Sequence, residues 1–378
     1  MWKIPLFDIS FGREEVEAAK KVVKSGWISM GKITQEFERQ LSNFLGCKYC
    51  FVVSNGTAAL HLANIALGIG DKDEVICPSL TFVAGANSIK YTGAKPVFAD
   101  VESIQNFCIS PKDIESKITN KTKAIQVMHF AGYPCEMDSI IEIATRYKLF
   151  VIEDSAHSIG SIYKGKKCGT IGDVGCFSFF SNKNLSIGEG GLVVTNKESI
   201  ANKLRLLRSH GMTTLSWDRT QGHAFSYDVI EQGYNYRINE ISSAIGMVQL
   251  KKLVNNNEKR ERLVNYYKQQ LSHCSFIQIP FKDNVEKSSF HIFPILLDKS
   301  INRKQFMLYL KQKGIQSSIH YPPIHTFSYY KTNYNNQILP VTNDIGKCEV
   351  TLPLYPNMKN QDIDYMIDII NTFKGEKL

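Results

Sequence analysis

Between Cys50 and Ile152 the chain repeats one theme: a short apolar run, a small-residue turn, then a stretch with apolar residues at helical spacing. Cys50–Ser54, Glu74–Cys77 (closed by Pro78), Lys95–Ala99, Ala124–His129 and Leu149–Ile152 read as strands. Gly56–Leu67, bounded by Gly68, and Ile140–Tyr147 read as helices. Runs that are apolar throughout belong to strands buried on both faces, and helices between them supply the crossovers a parallel sheet needs. The pattern therefore predicts an α/β fold with a mostly parallel sheet flanked by helices. Ligands in such sheets gather beyond the carboxyl ends of the strands. The residues there are Ser54-Asn55-Gly56-Thr57, Ser79-Leu80-Thr81-Phe82, His129 and Asp154, which would face one crevice.

Two helices precede this unit, Arg13–Lys24 and Ile33–Leu45, the second stopped by Gly46. After it, Ile238–Asn256 reads as a long helix leaving the large domain, and Glu258–Leu271 continues helical. Phe276–Leu378 alternates a strand (Phe290–Leu297) with helices (Arg303–Lys313 and Gln361–Phe373) and reads as a smaller α/β domain. The division adopted is 1–245 for the large domain and 246–378 for the small one. At 378 residues the chain is long enough for both.

The net charge of +9 invites a nucleic-acid partner, but the basic residues are interspersed with acids, and the densest cluster, Lys259-Arg260-Glu261-Arg262, carries its own glutamate. Attraction of an anionic small molecule accounts for the charge equally well. Nine cysteines lie scattered, and Cys47-Lys48-Tyr49-Cys50 leads straight into an apolar run, so they read as structural thiols. With no signal segment and no apolar run of membrane-spanning length, a cytoplasmic protein without membrane contact is expected.

Chemistry concentrates on one pair. The run Val151-Ile152-Glu153-Asp154 delivers a carboxylate to the sheet edge, and Lys183, in the Ser/Phe/Gly-rich stretch around Ser178-Phe179-Phe180-Ser181-Asn182, can reach the same edge. An amine to form a Schiff base and an anion to keep a pyridine nitrogen protonated are what pyridoxal phosphate requires. Gly56-Thr57-Ala58 opens a helix after a strand, which suits a phosphate, although an ordinary helix cap has the same form. His320 and His325 flank Tyr321-Pro322-Pro323-Ile324; the prolines forbid a helix and no acid or cysteine completes a metal set, so no metal is expected.

The ordered motifs cover nearly the whole chain. They run from Gly26-Trp27-Ile28-Ser29-Met30-Gly31 through Ser54-Asn55-Gly56-Thr57-Ala58 and Pro78-Ser79-Leu80-Thr81-Phe82 to Glu153-Asp154-Ser155-Ala156-His157. Ser178 to Asn184, Gly188-Glu189-Gly190-Gly191, Arg208-Ser209-His210-Gly211, Gly233-Tyr234-Asn235-Tyr236-Arg237 and His320-Tyr321-Pro322-Pro323 follow. In this the chain resembles the sugar aminotransferases of the DegT/DnrJ/EryC1/StrS family, fold-type I pyridoxal-phosphate enzymes with a seven-stranded sheet. The resemblance implies that Gly56, Thr57, Ala58 and Ser178 hold the cofactor phosphate and that Phe82 stacks on its ring. It gives Asp154 the ring nitrogen, His157 the neighbourhood of the 3-oxygen, and Lys183 the Schiff base and the proton shuttle. Asn235 would reach a partner's phosphate across a homodimer with shared sites, while Arg237, His320 and Tyr321 would face substrate. The implied reaction moves an amino group from L-glutamate to a keto sugar on a nucleotide diphosphate, 4-keto being favoured. Amination of a 3-keto sugar or a keto-cyclitol is an alternative, as is a non-catalytic regulatory member of the same fold. The family's dehydratases carry His where Lys183 stands, which argues against them.

Overall fold

In the computed structural model, which describes residues 2–214, 226–334 and 337–373, the alternating runs assemble into one seven-stranded sheet. Its strands are β1 (Tyr49–Val53), β2 (Glu74–Pro78), β3 (Lys95–Ala99), β4 (Thr122–Met128), β5 (Phe150–Asp154), β6 (Val174–Ser178) and β7 (Gly191–Thr195). They lie in the order β1-β7-β6-β5-β4-β2-β3, with β7 antiparallel to both neighbours and the remaining pairs parallel. The mostly parallel sheet expected from the apolar runs is therefore present. β6 and β7 are two strands that the sequence pattern did not isolate. Gly175 interrupts the apolar signal of β6, and the fold needs it: a Cβ there would lie 1.9 Å from the Gly169 carbonyl oxygen. β5 extends to Asp154 itself, whose backbone pairs in register with Met128 on one side and Cys176 on the other.

Apolar burial on the two sheet faces drives the assembly. On one face Ala59, Leu62, Val75, Ile152 and Leu204 are fully buried. On the other, Ile76, Ile125 and Val127 join a cluster that continues into Phe293, Ile295, Leu310 and Ile370 of the C-terminal part. Each fully buried Val, Leu, Ile or Phe among them contributes roughly 1.5–3 kcal/mol. The C-terminal part carries a three-stranded antiparallel sheet of Ile277–Gln278, Phe293–Leu297 and Glu349–Leu352. The chain's beginning also docks there, with Lys3 and Ile4 N–H both donating to the Gly314 carbonyl at 2.9 and 3.0 Å.

The two helical stretches read on either side of Asn257 form one helix, Glu240–Gln270, which runs unbroken through residues 245 and 246. Asn239 caps it by accepting the Ser242 N–H at 2.8 Å. The run Asn255-Asn256-Asn257 disfavours a helix interior when its side chains compete for the backbone. Here Asn257 is buried and its amide is engaged by Asn184 and the Ile159 carbonyl instead. All nine cysteines are unbridged, and the buried Cys47 and Cys50 sulfurs stand 3.3 Å apart.

Candidate active site

The carboxyl ends of β4, β5 and β6, the start of the helix Gly56–Ala66 and the loop 320–321 enclose a cleft of about 780 Å³. At its floor β5 ends in two buried carboxylates pointing to opposite faces, as successive strand residues must. Glu153 faces away from the cleft and takes four donors: Gly169 N–H (2.7 Å) and His129 Nε2 (3.0 Å) on Oε2, with Ile171 N–H (2.7 Å) and Gly172 N–H (2.6 Å) on Oε1. His129 Nδ1 accepts the Cys135 N–H at 3.1 Å, so the ring's Nε2 must be the donor to Glu153. These bonds fix the strand end from which Asp154 faces the cleft. His129, singled out from the sequence as a crevice residue, serves this buttress and is not on the cleft wall.

Asp154 accepts the Ala156 N–H at 3.1 Å, and burial holds its carboxyl above the usual range, opposed by that N–H and by Lys183. Lys183 lies across the cleft floor, half-buried. Burial pushes its amine down to about 8 against the opposing pull of Asp154. About one lysine in ten is then neutral at pH 7, a far larger share than for an exposed lysine.

The opposite end of the cleft is built from backbone. The first turn of the helix Gly56–Ala66 aims its N–H groups inward, and such groups have no intrahelical acceptor. Asn55 takes the Ala58 N–H at 2.8 Å, so Gly56 and Thr57 supply the N–H groups left for an anion, with the Ser178 hydroxyl beside them. A Cβ on Gly56 would stand 3.0 Å from Ser178 Cβ, tighter than ordinary contact, so the glycine lets this turn and β6 approach closely. Ala58 lines the cleft, but its N–H is already committed to the cap.

Aromatic rings close the top. Phe82 leaves 55% of its surface open, which a core aromatic does not, and lies 5.9 Å from the Tyr321 ring. Tyr321 OH and His157 Nε2 are hydrogen-bonded at 2.9 Å, and burial drives the His157 ring well below its usual range, with Lys183 and His320 adding to the effect. His320 is held at about 4, mainly by burial and then by Lys183; its Nδ1 is paired to Thr351 Oγ1 at 2.9 Å and its N–H to Glu349 Oε2 at 2.8 Å. At neutral pH both rings are uncharged.

Of the residues singled out from the sequence, Gly56, Thr57, Ala58, Phe82, Asp154, His157, Ser178, Lys183, His320 and Tyr321 share this cleft. Asn235 and Arg237 do not line it. Asn235 is exposed, and Arg237 donates to Ser209 Oγ at 3.0 Å. Residues 215–225, which precede them in the chain, lie outside the described residues. His325 is taken up by Ser79 Oγ (2.7 Å) and Asn343 Oδ1 (3.0 Å). Four further residues, unmarked by the sequence pattern, contribute. His61, Tyr91 and Tyr236 form an aromatic wall at the cleft, with His61 Nδ1 and Tyr236 OH 3.0 Å apart. His291, in the C-terminal half, stands 3.4 Å from Lys183 Nζ. No local pattern marks a single histidine 108 residues from its partner.

The cleft suits a flat, phosphate-bearing heteroaromatic aldehyde. It offers an N–H cradle, an amine of lowered basicity, a buried carboxylate and an open aromatic face. Among the described residues, Thr81 Oγ1 and His157 Nδ1, both buried at its wall, have no hydrogen-bond partner, as groups awaiting a polar ligand do.

Comparison with known proteins agrees with this geometry. The chain is 37% identical over 375 residues to the GDP-perosamine synthase of Escherichia coli O157:H7, covering 99% of each. It is 36% identical to the spore coat polysaccharide biosynthesis protein SpsC of Bacillus subtilis, over 95% of this chain and 94% of that protein. The putative sugar aminotransferase Spr1654 of Streptococcus pneumoniae, solved in its PMP-form, superposes with a TM-score of 0.92 at 28% identity, covering 98% of both chains. The model of the DegT/DnrJ/EryC1/StrS aminotransferase family matches residues 10–371, and the chain belongs to that family.

Proposed function

We propose that this protein is a pyridoxal-phosphate-dependent aminotransferase that moves an amino group from L-glutamate to a keto sugar carried on a nucleotide diphosphate. The observation that carries the reading is the convergence of Asp154, at the end of β5, and Lys183, in the loop after β6, on one cleft with the N–H cradle of Gly56 and Thr57. When bound, the cofactor would supply an electron sink for removing and replacing a proton at the carbon bearing nitrogen. Gly56, Thr57 and Ser178 would hold its phosphate, Phe82 would cover the ring, and Asp154 would keep the ring nitrogen protonated. His157, neutral and braced by Tyr321, would lie near the ring's oxygen. Lys183 would hold the cofactor and, when free, carry the proton to and from the substrate carbon; an amine near 8 can both accept and return it close to neutrality.

His320 and Tyr321 would face the sugar. Asn235 and Arg237, exposed or turned away from this chain's own cleft, would serve the cleft of a second copy in a homodimer. The GDP-perosamine synthase among the relatives supports a nucleotide sugar, and we favour a 4-keto acceptor whose amino product enters a surface polysaccharide or glycoconjugate. The test is incubation with glutamate and a panel of 3-keto and 4-keto nucleotide sugars, with products read by mass spectrometry. Aminated product from the 4-keto members is expected. Absence of product from every member, with cofactor bound, would remove the assignment.

A further inference from the structure

The orientation of one buried run of side chains is fixed, because each asparagine in it donates to a backbone carbonyl. Asn184 places one amide atom 2.7 Å from the Ser289 carbonyl and 2.8 Å from Asn257 Oδ1. A carbonyl only accepts, so that atom is the NH₂ nitrogen, and the other, facing His291 Nδ1 at 2.9 Å, is the oxygen. Asn257 is fixed in the same way, its nitrogen donating to the Ile159 carbonyl at 3.0 Å. His291 must therefore carry its proton on Nδ1. Burial keeps the ring neutral, reinforced by His157, Lys183 and Arg260, whose guanidinium donates to the His291 carbonyl at 3.1 Å. Its Nε2 is left as a bare lone pair, 3.4 Å from Lys183 Nζ. Asn184, Asn257 and His291 are all buried, so water does not compete for these bonds.

We propose that His291 is a positioning residue for Lys183: its Nε2, kept bare by Asn184 and Asn257, receives an N–H of the free lysine amine and holds the nitrogen in place between proton transfers. The inference rests on Lys183 being the amine that carries the cofactor. It assigns to His291 no proton transfer, since a neutral ring with its proton turned to Asn184 has none to give toward the cleft. Asn257 belongs to the helix Glu240–Gln270, so that helix reaches the lysine through two side chains.

The test uses two substitutions that divide the ring's two contacts. His291→Asn can keep the donor to Asn184 Oδ1 but has nothing at the Nε2 position; His291→Gln can bring an acceptor oxygen toward Lys183. In cofactor-free protein, the pH dependence of Lys183 acetylation by acetic anhydride, read by peptide mass spectrometry, reports the basicity of its amine. The groups facing that amine are Asp154, His157, His291 and His320. Loss of an acceptor for the ammonium form should move the midpoint down by about half a pH unit or more in His291→Asn and leave it near wild type in His291→Gln. In loaded enzyme kcat should fall about tenfold or more in His291→Asn, with KM for the donor little changed, and return to within about threefold in His291→Gln. Indistinguishable labelling profiles and rates for the two variants would overturn the proposal and leave His291 a packing residue. If His291→Asn does not fold, ¹⁵N spectra of histidine-labelled wild type decide: an Nδ1–H tautomer is expected, and an Nε2–H tautomer overturns it. Should Lys183 not be the cofactor amine, borohydride reduction of loaded wild type would mark another residue, a failure visible apart from any result on His291.

Discussion

Two buried glutamates should answer the same isosteric change in opposite ways. Glu153 accepts two donors on each oxygen, and three of the four are backbone N–H groups that cannot turn away. In Glu153→Gln an NH₂ must replace one oxygen. Placed at Oε1 it meets the Ile171 and Gly172 N–H groups; placed at Oε2 it meets Gly169 N–H and a His129 ring held in its donor form by Cys135. Either way two buried donors lose their acceptor, at about 1–3 kcal/mol each, or about 2–6 kcal/mol together. Unfolding entropy of about 2.1 cal/mol/K per residue gives about 0.8 kcal/mol per degree for a chain of this length, so Tm should fall by about 3–8 °C. Glu349 has one backbone donor, His320 N–H, and one reversible partner, the Thr351 hydroxyl, and burial raises its carboxyl to about 8. Below that pH its neutral form is the one a glutamine copies. Because the folded value lies above the unfolded one, its contribution is complete below about 4.5 and is lost as pH rises through about 8. Glu349→Gln should thus cost little at pH 5 and match or exceed wild type at pH 8.5. Scanning calorimetry of the three proteins at both pH values is the assay. A fall below about 1 °C for Glu153→Gln, or equal falls for both variants, would refute the donor count.

Purified protein given pyridoxal phosphate should turn yellow, and borohydride should leave the cofactor's mass on the peptide containing Lys183; Lys183→Ala should still bind cofactor but lose turnover by several orders of magnitude. Asp154→Asn should slow the chemical step by about a hundredfold or more, whereas His157→Gln should cost about tenfold or less; equal, severe losses in steady-state rate would contradict the separate roles. Gly56→Ala, whose Cβ presses on Ser178, should weaken cofactor binding in a fluorescence titration while leaving the fold's circular dichroism unchanged. Mixing Lys183→Ala with Asn235→Ala under subunit exchange should restore about a quarter of wild-type activity, since roughly half the dimers are hybrids with one whole site. No gain above the unmixed variants, with exchange demonstrated, would confine Asn235 to its own chain.

Local order was legible wherever one segment determines its own structure. Val151 to Asp154 is apolar until its last two residues, so it reads as a buried strand with carboxylates at its end. Gly56-Thr57-Ala58 after a strand reads as a helix start, though only the structure shows that Asn55 has already claimed the Ala58 N–H. β6 was hidden because its glycine serves a backbone contact with Gly169, a requirement set by another loop. Likewise no pattern along the chain shows that the Asn257 amide, inside a helix, is taken up by Ile159 and Asn184. The sequence by itself thus determined the α/β layering, the sheet edge where the chemistry gathers, and the lysine–aspartate pair, because hydrophobic periodicity and turn chemistry act over a few residues. Only the tertiary structure decided that Glu153 turns from the cleft, that Asn235 lies outside it, and that His291 meets Lys183. Those meetings depend on where distant segments come to rest once both sheet faces are buried, and no spacing along the chain encodes them.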